Sequence, residues 1–401
     1  MINEIKKLTK KHKNRIIQIR RHLHQNPELS FKEFNTAKYI SKILTEFNIS
    51  HQTGIVNTGI VGVIEGEKQT SNVVALRADI DALPIQEENN LSFSSVNEGV
   101  MHACGHDVHA SSLLGTLIVL NELKENIEGS IKFIFQPGEE QLPGGAKLMI
   151  EEKVLESPKV NRIIAQHVYP DLETGKVGLK SGTYMASADE IYFKVIGKGG
   201  HAALPHTFVD PILITSHIIV ALQQIVSRSA SPYIPTVLSF GDIVGKGATN
   251  VIPDFVLVKG TFRTFDEKWR LDAHLKMKKM AESIAEGMGA VCEFEVRRGY
   301  PVLVNDEETT SIARKAAVEF MGENNVIDLD LRMTAEDFAY YSHQVPSCFY
   351  RLGTANQSKN IGGSLHNSKL TIDEEALEIG VGLMTYIALS ELESLGNKVL
   401  N

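Results

Sequence analysis

Side chains that bind metals are concentrated in one short segment of the 401-residue chain. Residues 101–109 contain a thiol at Cys104 and an imidazole at His106, and Gly105 between them permits an unusual backbone conformation. The pair Glu139-Glu140 follows further along. Thiolate, imidazole and carboxylate together suit zinc or a similar divalent ion, and a second carboxylate suits a general base acting on water that the metal activates. The first hypothesis is therefore metal-assisted hydrolysis.

Two histidines far from this segment, His167 and His366, could complete the surroundings of a metal. A Cys-x-His pair alone more often packs in a core than binds an ion, because free cysteine is among the most buried residue types. Here His102 and His109 lie in the same segment, and Asp107 could fix the tautomer of a ligand imidazole. These additions favour metal binding over packing.

The two adjacent carboxylates can serve one site only if the chain turns beside them. Neighbouring residues on a regular strand point to opposite faces. Gln136-Pro137-Gly138 precedes Glu139-Glu140 and predicts such a turn at the end of a strand. The alternative is a solvated acidic loop. The position after a strand favours a site in which one acid is a ligand and the other a general base.

Composition narrows the class of protein. The 43% hydrophobic content over 401 residues is enough for two cores, and the net charge of −8 argues against a nucleic-acid partner. Three scattered cysteines, Cys104, Cys292 and Cys348, cannot form an even set of disulfides, which favours a reducing compartment. No signal peptide is recognisable, and apolar runs such as residues 218–222 are shorter than the ~20 residues that cross a bilayer. We expect a soluble, cytoplasmic protein without a membrane partner.

Short apolar strands alternate with helices in the first part of the chain. The predicted strands are residues 59–64, 73–78, 131–136 and 162–167. This alternation predicts an α/β domain that has a mostly parallel sheet with helices on both faces. Ligands of such domains bind beyond the carboxyl ends of the strands. The candidate residues that follow strands directly are Asp81, Glu139, Glu140 and His167.

A second domain is predicted as an insert at residues 183–297. Its elements follow the order β-α-β-β-α-β, which closes into an antiparallel sheet with two helices on one side. Gly182 and residues 298–301 are plausible hinges, because glycine and proline interrupt regular elements. Residues 1–182 and 298–401 then form the catalytic, metal-binding domain.

Six segments together resemble a known family, the dinuclear metallopeptidases and aminoacylases. The segments are residues 101–109, 136–140, 166–168, 199–202, 250–253 and 365–367. They are most similar to the amidohydrolase subgroup that cleaves hippurate and indole-acetyl-amino acids, and the resemblance extends from about Arg20 to His366. The chain departs from the subgroup at Thr334-Ala335, which precede Glu336-Asp337-Phe338 where Gly-Ser is usual.

The resemblance implies a role for each candidate residue in the first domain. Cys104 would bridge two divalent ions per chain, zinc or manganese, with cobalt or nickel as further options. Glu139 would be the general base, and Asp81 would orient the site. The wider family has a histidine ligand where this chain has Asp79, so that His106 would replace it. The remaining ligands would be Glu140, His167 and His366.

The resemblance also assigns the insert, which would be a lid and dimerisation domain. His201 would reach across a homodimer to stabilise the tetrahedral oxyanion, Asn250 would hold the substrate carbonyl, and Arg263 would hold its carboxylate. Fixed donors and a planar guanidinium are what this chemistry requires. Without the resemblance, Asn250 could cap a turn, Arg263 could be a surface residue, and His201 could be a loop histidine.

The sequence therefore predicts a dinuclear-metal amidohydrolase that acts on linear amides, with N-acyl amino acids as its small-molecule substrates. A metal-dependent dipeptidase or carboxypeptidase is an alternative, distinguished by comparing N-acetyl amino acids with free peptides. A hydrolase with Cys104 as nucleophile is another, and it would survive removal of metals. A binding protein that has lost catalysis is the third, and the intact pair Glu139-Glu140 argues against it.

Overall fold

The structure is a computed structural model that describes residues 1–399. The α-helices are α1 (Ile2–Gln25), α2 (Phe34–Glu46), α3 (His106–Glu122), α4 (Gly145–Glu151), α5 (Pro211–Gln224), α6 (Glu267–Gly287), α7 (Glu307–Met321), α8 (Ala339–Ser342) and α9 (Glu375–Val399). The β-strands are β1 (His51–Ile55), β2 (Gly59–Glu65), β3 (Lys68–Asp79), β4 (Glu128–Gln136), β5 (Arg162–Glu173), β6 (Val177–Leu179), β7 (Gly182–Met185), β8 (Asp189–Ile196), β9 (Gly200–His201), β10 (Thr236–Val244), β11 (Val251–Ile252), β12 (Phe255–Thr264), β13 (Val291–Arg298), β14 (Leu303–Asn305), β15 (Val326–Asp328) and β16 (Ser347–Ala355).

The chain separates into two compact units. The first unit consists of Met1–Gly182, Val304–Asp330 and the described residues from Asp337 onward. The second unit consists of Thr183–Leu303 and Leu331–Glu336. The short segment Leu331–Glu336 is thus associated with the second unit, although it lies beyond the predicted insert in sequence.

The first unit is an α/β unit built on a mixed sheet with the strand order β1-β2-β4-β3-β5-β16-β6-β15. Pairing is parallel from β4 through β3 and β5 to β16 and again between β15 and β6. It is antiparallel between β1 and β2, between β2 and β4, and between β16 and β6. The sheet is therefore less uniformly parallel than the sequence predicts. One physical reason is the tight connection from β1 to β2, because a short turn can join only antiparallel strands.

Helix α3 is the central helix of the first unit. Every residue from His106 to Leu120 is buried, so the helix is enclosed on all sides. It contacts α1, α9 and β3. Gly105, which precedes it, has a φ of 80°, and a Cβ there would lie 2.5 Å from the side chain of Val168 on β5. The start of α3, which carries the metal-binding motif, is therefore fixed tightly against the sheet.

The second unit contains an antiparallel sheet with the strand order β10-β12-β8-β13. Buried residues alternate along β8 at Ile191, Phe193 and Val195, as expected for a strand with one covered face. Helices α5 and α6 pack on this sheet. A two-stranded ribbon of β9 and β11 pairs His201 with Val251. Asp210 caps α5 by accepting hydrogen bonds from the amides of Ile212 and Leu213.

Helix α5 continues as a π-helical turn to Ser229. Among the described residues, Pro211–Ser229 is the one helical stretch long and apolar enough by length and composition to cross a membrane, and 28% of it is buried. This stretch contains no continuous apolar run of that length, because the uncharged polar residues Thr215 and Ser216 and the imidazole of His217 interrupt it. One such helix is weak evidence for a membrane span.

The burial of α3 leads to a prediction about stability. Leu117→Ala should lower the free energy of unfolding by about 2–5 kcal/mol, because Leu117 is fully buried and its truncation leaves a cavity. Phe34→Ala is the control, since Phe34 is 60% exposed and should change the free energy by less than about 0.5 kcal/mol. Urea unfolding of both variants measures the difference, and equal midpoints would contradict the central position of α3.

Candidate metal centre

The first unit brings the five predicted metal ligands together. Ligand atoms of Cys104, His106 and His167 all lie within 4.8 Å of one another, and so do those of Cys104, Glu140 and His366. The Cys104 sulfur is 3.4 Å from Nε2 of His167, and Nε2 of His366 is 3.1 Å from Oε1 of Glu140. Cys104 belongs to both groups. The Cys104 sulfur is therefore shared by two groups of converging ligand atoms.

Four segments that are distant in sequence position these predicted ligands, and the first of them carries both Cys104 and His106. Cys104 lies in the turn before α3, and His106 is the first residue of that helix. Glu140 follows the turn after β4, and His366 lies between β16 and α9. His167 lies within β5, because the strand continues to Glu173 rather than ending at the histidine as predicted.

The His106 ring is held in the tautomer that a metal ligand needs. Its Nδ1 donates to the carbonyl oxygen of Asp81 at 2.8 Å, with the Asp81 carboxylate at 3.2 Å. Its Nε2 is buried, has no hydrogen-bond partner among residues 1–399, and lies 3.9 Å from Oε1 of Glu140. A buried nitrogen without a hydrogen-bond partner is unfavourable, and a cation bound to Nε2 would supply the missing partner.

Asp81 also fixes the chain around Glu140. Its Oδ2 accepts hydrogen bonds from the Ser30 hydroxyl at 2.7 Å and from the Glu140 amide at 3.0 Å. Burial acts to raise the pKa of Asp81, but the hydrogen bond and charge of His106 outweigh it, so that the pKa lies below its usual range. The carboxylate thus stays ionised and orients two ligands at once.

The predicted turn is present before the two glutamates. Gly138 has a φ of 62°, which favours glycine, and a Cβ there would lie 2.4 Å from the ring of Phe31. The carboxylate of Glu33 accepts the Gly138 amide at 2.9 Å. Glu139 is 5% exposed, and its carboxylate lies within 4.8 Å of ligand atoms of both His106 and Glu140. A second carboxylate is therefore available beside the ligands.

The charges of the site favour a cation. Burial raises the pKa of the Cys104 thiol, and the Glu140 carboxylate adds to the effect. Hydrogen bonds with Cys104 and Glu140 raise the pKa of His366 to about 10, so these two groups stabilise positive charge next to them. A divalent ion would be stabilised in the same way, and it would also favour the thiolate form of Cys104. The donor set of thiolate, imidazoles and carboxylate fits such an ion.

His366 differs from the other ligands because its side chain is 53% exposed. Its backbone φ is 60°, an unfavourable value for a residue with a Cβ, and its amide donates to the carbonyl of Ala103 at 2.8 Å. Such strain, of order 1–3 kcal/mol, is commonly found at functional sites. The hydrogen bond to Ala103 ties the loop to the segment that carries Cys104.

Two predicted features of residues 101–109 require correction. Asp107 does not fix a ligand imidazole; it accepts hydrogen bonds from Nε of Arg20 at 2.8 Å and from Nδ1 of His24 at 3.0 Å. His102 is buried, but it is in none of the groups whose ligand atoms converge, and neither ring nitrogen has a hydrogen-bond partner within the described chain. The sequence assigned an orienting role to both Asp81 and Asp107, and in the structure Asp81 is the residue that contacts a predicted ligand imidazole.

Hydrogen bonds among fully buried residues beside the predicted ligands were not predicted from the sequence. Asp79 accepts hydrogen bonds from Nη1 of Arg77 at 2.7 Å and from Nδ1 of His109 at 2.6 Å. Each of its oxygens thus accepts a hydrogen bond, and Asp79, His106 and His109 form a further group whose ligand atoms lie within 4.8 Å of one another. Asp337 accepts from Nη2 of Arg77 at 2.8 Å, and its amide donates to Oε1 of Glu139 at 3.3 Å. The available signal was Arg77, a charged residue inside the predicted strand at residues 73–78.

The second unit carries the other three predicted site residues. The Ala203 amide donates to Nδ1 of His201 at 3.1 Å, so a neutral His201 ring carries its hydrogen on Nε2. The carbonyl of Asn250 accepts the Ala202 amide at 3.0 Å, which places Asn250 beside His201 on the ribbon. Arg263, on β12, donates to the Phe262 carbonyl and to the Thr261 hydroxyl.

The chain is similar to proteins of a known family. Residues 75–390 match the model of Peptidase family M20/M25/M40. The N-acyl-L-amino acid amidohydrolase of Geobacillus stearothermophilus is 43% identical over 305 residues, which cover 76% of this chain and 82% of that protein. Thermostable carboxypeptidase 2 of Saccharolobus solfataricus is 37% identical over 383 residues, which cover 95% and 96%. A Bacillus subtilis structure described as a dinuclear metal binding peptidase from the M20 family, YXEP, has a TM-score of 0.83 and 36% identity, covering 96% of this chain and 99% of that one. The chain therefore belongs to peptidase family M20/M25/M40.

Proposed function

We propose that the protein is a metal-dependent amidohydrolase that hydrolyses N-acyl amino acids to a carboxylate and a free amino acid. The observation that carries this proposal is the shared position of Cys104 in two ligand groups, with the Glu139 carboxylate beside them. The name of the amidohydrolase relative supports the N-acyl amino acid substrate class.

The proposed centre holds two divalent ions, zinc or manganese, with cobalt or nickel also compatible with the ligands. The residues that would hold them are Cys104, which belongs to both ligand groups, and His106, Glu140, His167 and His366. When bound, the ions polarise the amide carbonyl and lower the pKa of water to about 7.

Glu139 handles the protons of the reaction. Its carboxylate takes a proton from the attacking water and returns it to the leaving amine, so one group serves as base and then as acid. The amide of Asp337 holds one oxygen of this carboxylate at 3.3 Å. Asp81 keeps His106 and the chain at Glu140 in place through its own hydrogen bonds.

The second unit supplies groups that bind the substrate. His201 donates its Nε2 hydrogen to the oxyanion, because Nδ1 accepts the Ala203 amide. Arg263 has no carboxylate within ion-pair distance in the part of the chain that the structure describes, and its guanidinium binds the substrate carboxylate. Asn250, next to His201 on the ribbon, holds the substrate carbonyl.

We also propose a homodimer formed through the second unit, in which His201 acts on the centre of the partner subunit. Apolar side chains on the outer surfaces of α5 and α6 support it: Leu213 is 51% exposed, Val220 is 74% exposed and Leu275 is 71% exposed. Helices α5 and α6 contact each other, and exposed apolar groups on neighbouring helices are typical of surfaces that pair with another copy.

The three cysteines are buried and free, which supports a location in the reducing cytoplasm. The net charge of −8 supports the absence of a nucleic-acid partner.

A carboxypeptidase or dipeptidase is the second candidate, and the thermostable carboxypeptidase relative favours it. The relative rates on N-acetyl amino acids and on free dipeptides separate the two activities. A thiol hydrolase is less well supported, because nucleophilic cysteines have a lowered pKa whereas the pKa of Cys104 is raised. A binding protein without catalysis would not need Glu139 beside the ligands.

Glu139→Gln should reduce kcat on an N-acetyl amino acid by about 10²- to 10⁴-fold, the usual contribution of a general base. The metal content should not change, because Glu140 and the other ligands remain. Elemental analysis and steady-state kinetics measure the two effects. Glu151→Gln is the control, since Glu151 is an exposed glutamate on α4. Wild-type turnover in the Glu139 variant would refute its role.

Arg263→Met should raise KM for N-acyl amino acids by about 10- to 150-fold, which corresponds to losing roughly 1.5–3 kcal/mol from a hydrogen bond to a charged group. It should not change KM for an N-acyl amine that lacks the carboxylate. Kinetics with the matched pair of substrates measure this selectivity. An equal loss on both substrates would show that Arg263 supports the fold of β12 rather than the substrate.

Co-expression of Glu139→Gln and His201→Ala chains tests action across the dimer. If His201 acts on the partner's centre, mixed dimers contain one complete site, and random assortment gives about a quarter of wild-type activity. Each variant alone should stay nearly inactive. No recovery in isolated mixed dimers would show that His201 acts within its own chain, and wild-type activity of the His201→Ala chain alone would show that His201 has no catalytic role.

A further inference from the structure

A continuous chain of buried hydrogen bonds runs behind the ligands of the first unit. It begins at the carboxylate of Glu139 and ends at the amide that follows His167. None of its side chains is more than 5% exposed. In order, the residues along the chain are Glu139, Asp337, Arg77, Asp79, His109 and Val168.

The His109 ring has one defined tautomer. The Val168 amide donates to Nε2 of His109 at 2.9 Å, and an amide nitrogen can only donate. Nε2 is therefore without hydrogen, and Nδ1 donates its hydrogen to Oδ1 of Asp79 at 2.6 Å. Asp79 thus selects the form of His109 that can accept from the backbone.

His109 replaces a missing strand contact. The pairing of β3 with β5 ends at Arg77 and Ala165, three residues before Val168. A buried amide beyond that point needs another acceptor, and Nε2 of His109 provides it. Because Val168 directly follows His167, this bond fixes the backbone that carries the ligand. The centroids of the His109 and His167 rings are 4.4 Å apart.

Arg77 extends the chain of hydrogen bonds to the general base. Its guanidinium lies between the carboxylates of Asp79 and Asp337, at 2.7 Å and 2.8 Å. Asp337 also accepts hydrogen bonds from the Gln136 side chain at 2.8 Å and from the Ala146 amide at 2.9 Å. Gln136 precedes the pair Glu139-Glu140 in sequence, and Ala146 follows it. The same carboxylate therefore fixes both ends of the segment that presents Glu139.

We propose that Asp79 and His109 are positioning residues of the metal centre. His109 holds the ligand His167 in place through the Val168 amide. Asp79 fixes the His109 tautomer and connects this histidine, through Arg77, to the segment that carries the general base. The inference rests on the proposed function, since it requires that His167 binds a metal ion. A buried histidine that contributes only to packing is the alternative.

Two substitutions separate positioning from packing. His109→Asn keeps a donor near Nδ1 but is too short to accept from Val168. Asp79→Asn keeps the size of the side chain, but the new side-chain amide can donate to Nδ1 of His109. This donation selects the opposite tautomer of His109, in which the hydrogen on Nε2 faces the hydrogen of the Val168 backbone amide. His274→Asn is the matched control, because His274 in the second unit is also buried and pairs with an aspartate, Asp189, at 2.8 Å.

The affinity for Zn²⁺ and for Mn²⁺ is measured by competition with a chromophoric chelator, alongside thermal unfolding of the metal-free proteins. We expect both first-unit variants to lose about 10- to 100-fold in affinity for at least one ion, the usual effect of removing a partner of a ligand. In the metal-loaded variants, kcat should fall more than KM rises. His274→Asn should lower thermal stability without changing metal affinity.

The outcomes distinguish the inference from the function on which it rests. If the wild-type protein binds neither ion, the proposed function fails. If it binds an ion and the two variants bind as tightly, or if all three variants lose affinity equally, the positioning role is wrong and the proposed function stands. Should the variants not fold, ¹⁵N spectra of the wild-type histidines decide: His109 must carry hydrogen on Nδ1, and hydrogen on Nε2 overturns the inference.

Discussion

The Asp81 carboxylate is the group on which the geometry of the metal centre depends. It contacts three segments that are distant in sequence, through the Ser30 hydroxyl, the Glu140 amide and the His106 ring. It is fully buried, so none of these bonds competes with bulk water. Loss of one partner would leave a buried charge with fewer hydrogen bonds, which is expensive. This single ionised group therefore helps to position two of the predicted ligands, His106 and Glu140.

Much of the site could be predicted from the sequence because the ligands are of unusual types and follow local signals. Cys104 and His106 lie beside a glycine, and Glu139 and Glu140 follow Pro137-Gly138, so local backbone rules place both pairs. The turn, the convergence of the ligands and the α/β fold agree with the structure. The prediction of His167 at a strand end was less accurate, because nothing in the sequence marks how far β5 continues.

Other features could not be predicted, because they depend on contacts between distant residues. Asp107 seemed suited to orient a ligand by its proximity in sequence, but a buried Arg20 from α1 occupies it instead. The bonds of Arg77 with Asp79 and Asp337 join positions that are 2 and 260 residues apart. A charged residue within an apolar strand indicates that some partner exists, but the partner is defined only when the sheet and the loops have assembled.

The close approach of α3 to β5 has a consequence for how the Cys-Gly-His motif tolerates substitution. At Gly105 the backbone conformation disfavours any side chain, and the space is already filled by Val168. If α3 moved away to admit a methyl group at residue 105, its first residue, His106, would move away from β5, which carries His167. Replacement of Gly105 therefore disturbs the predicted ligand geometry, even though glycine offers no ligand atom itself.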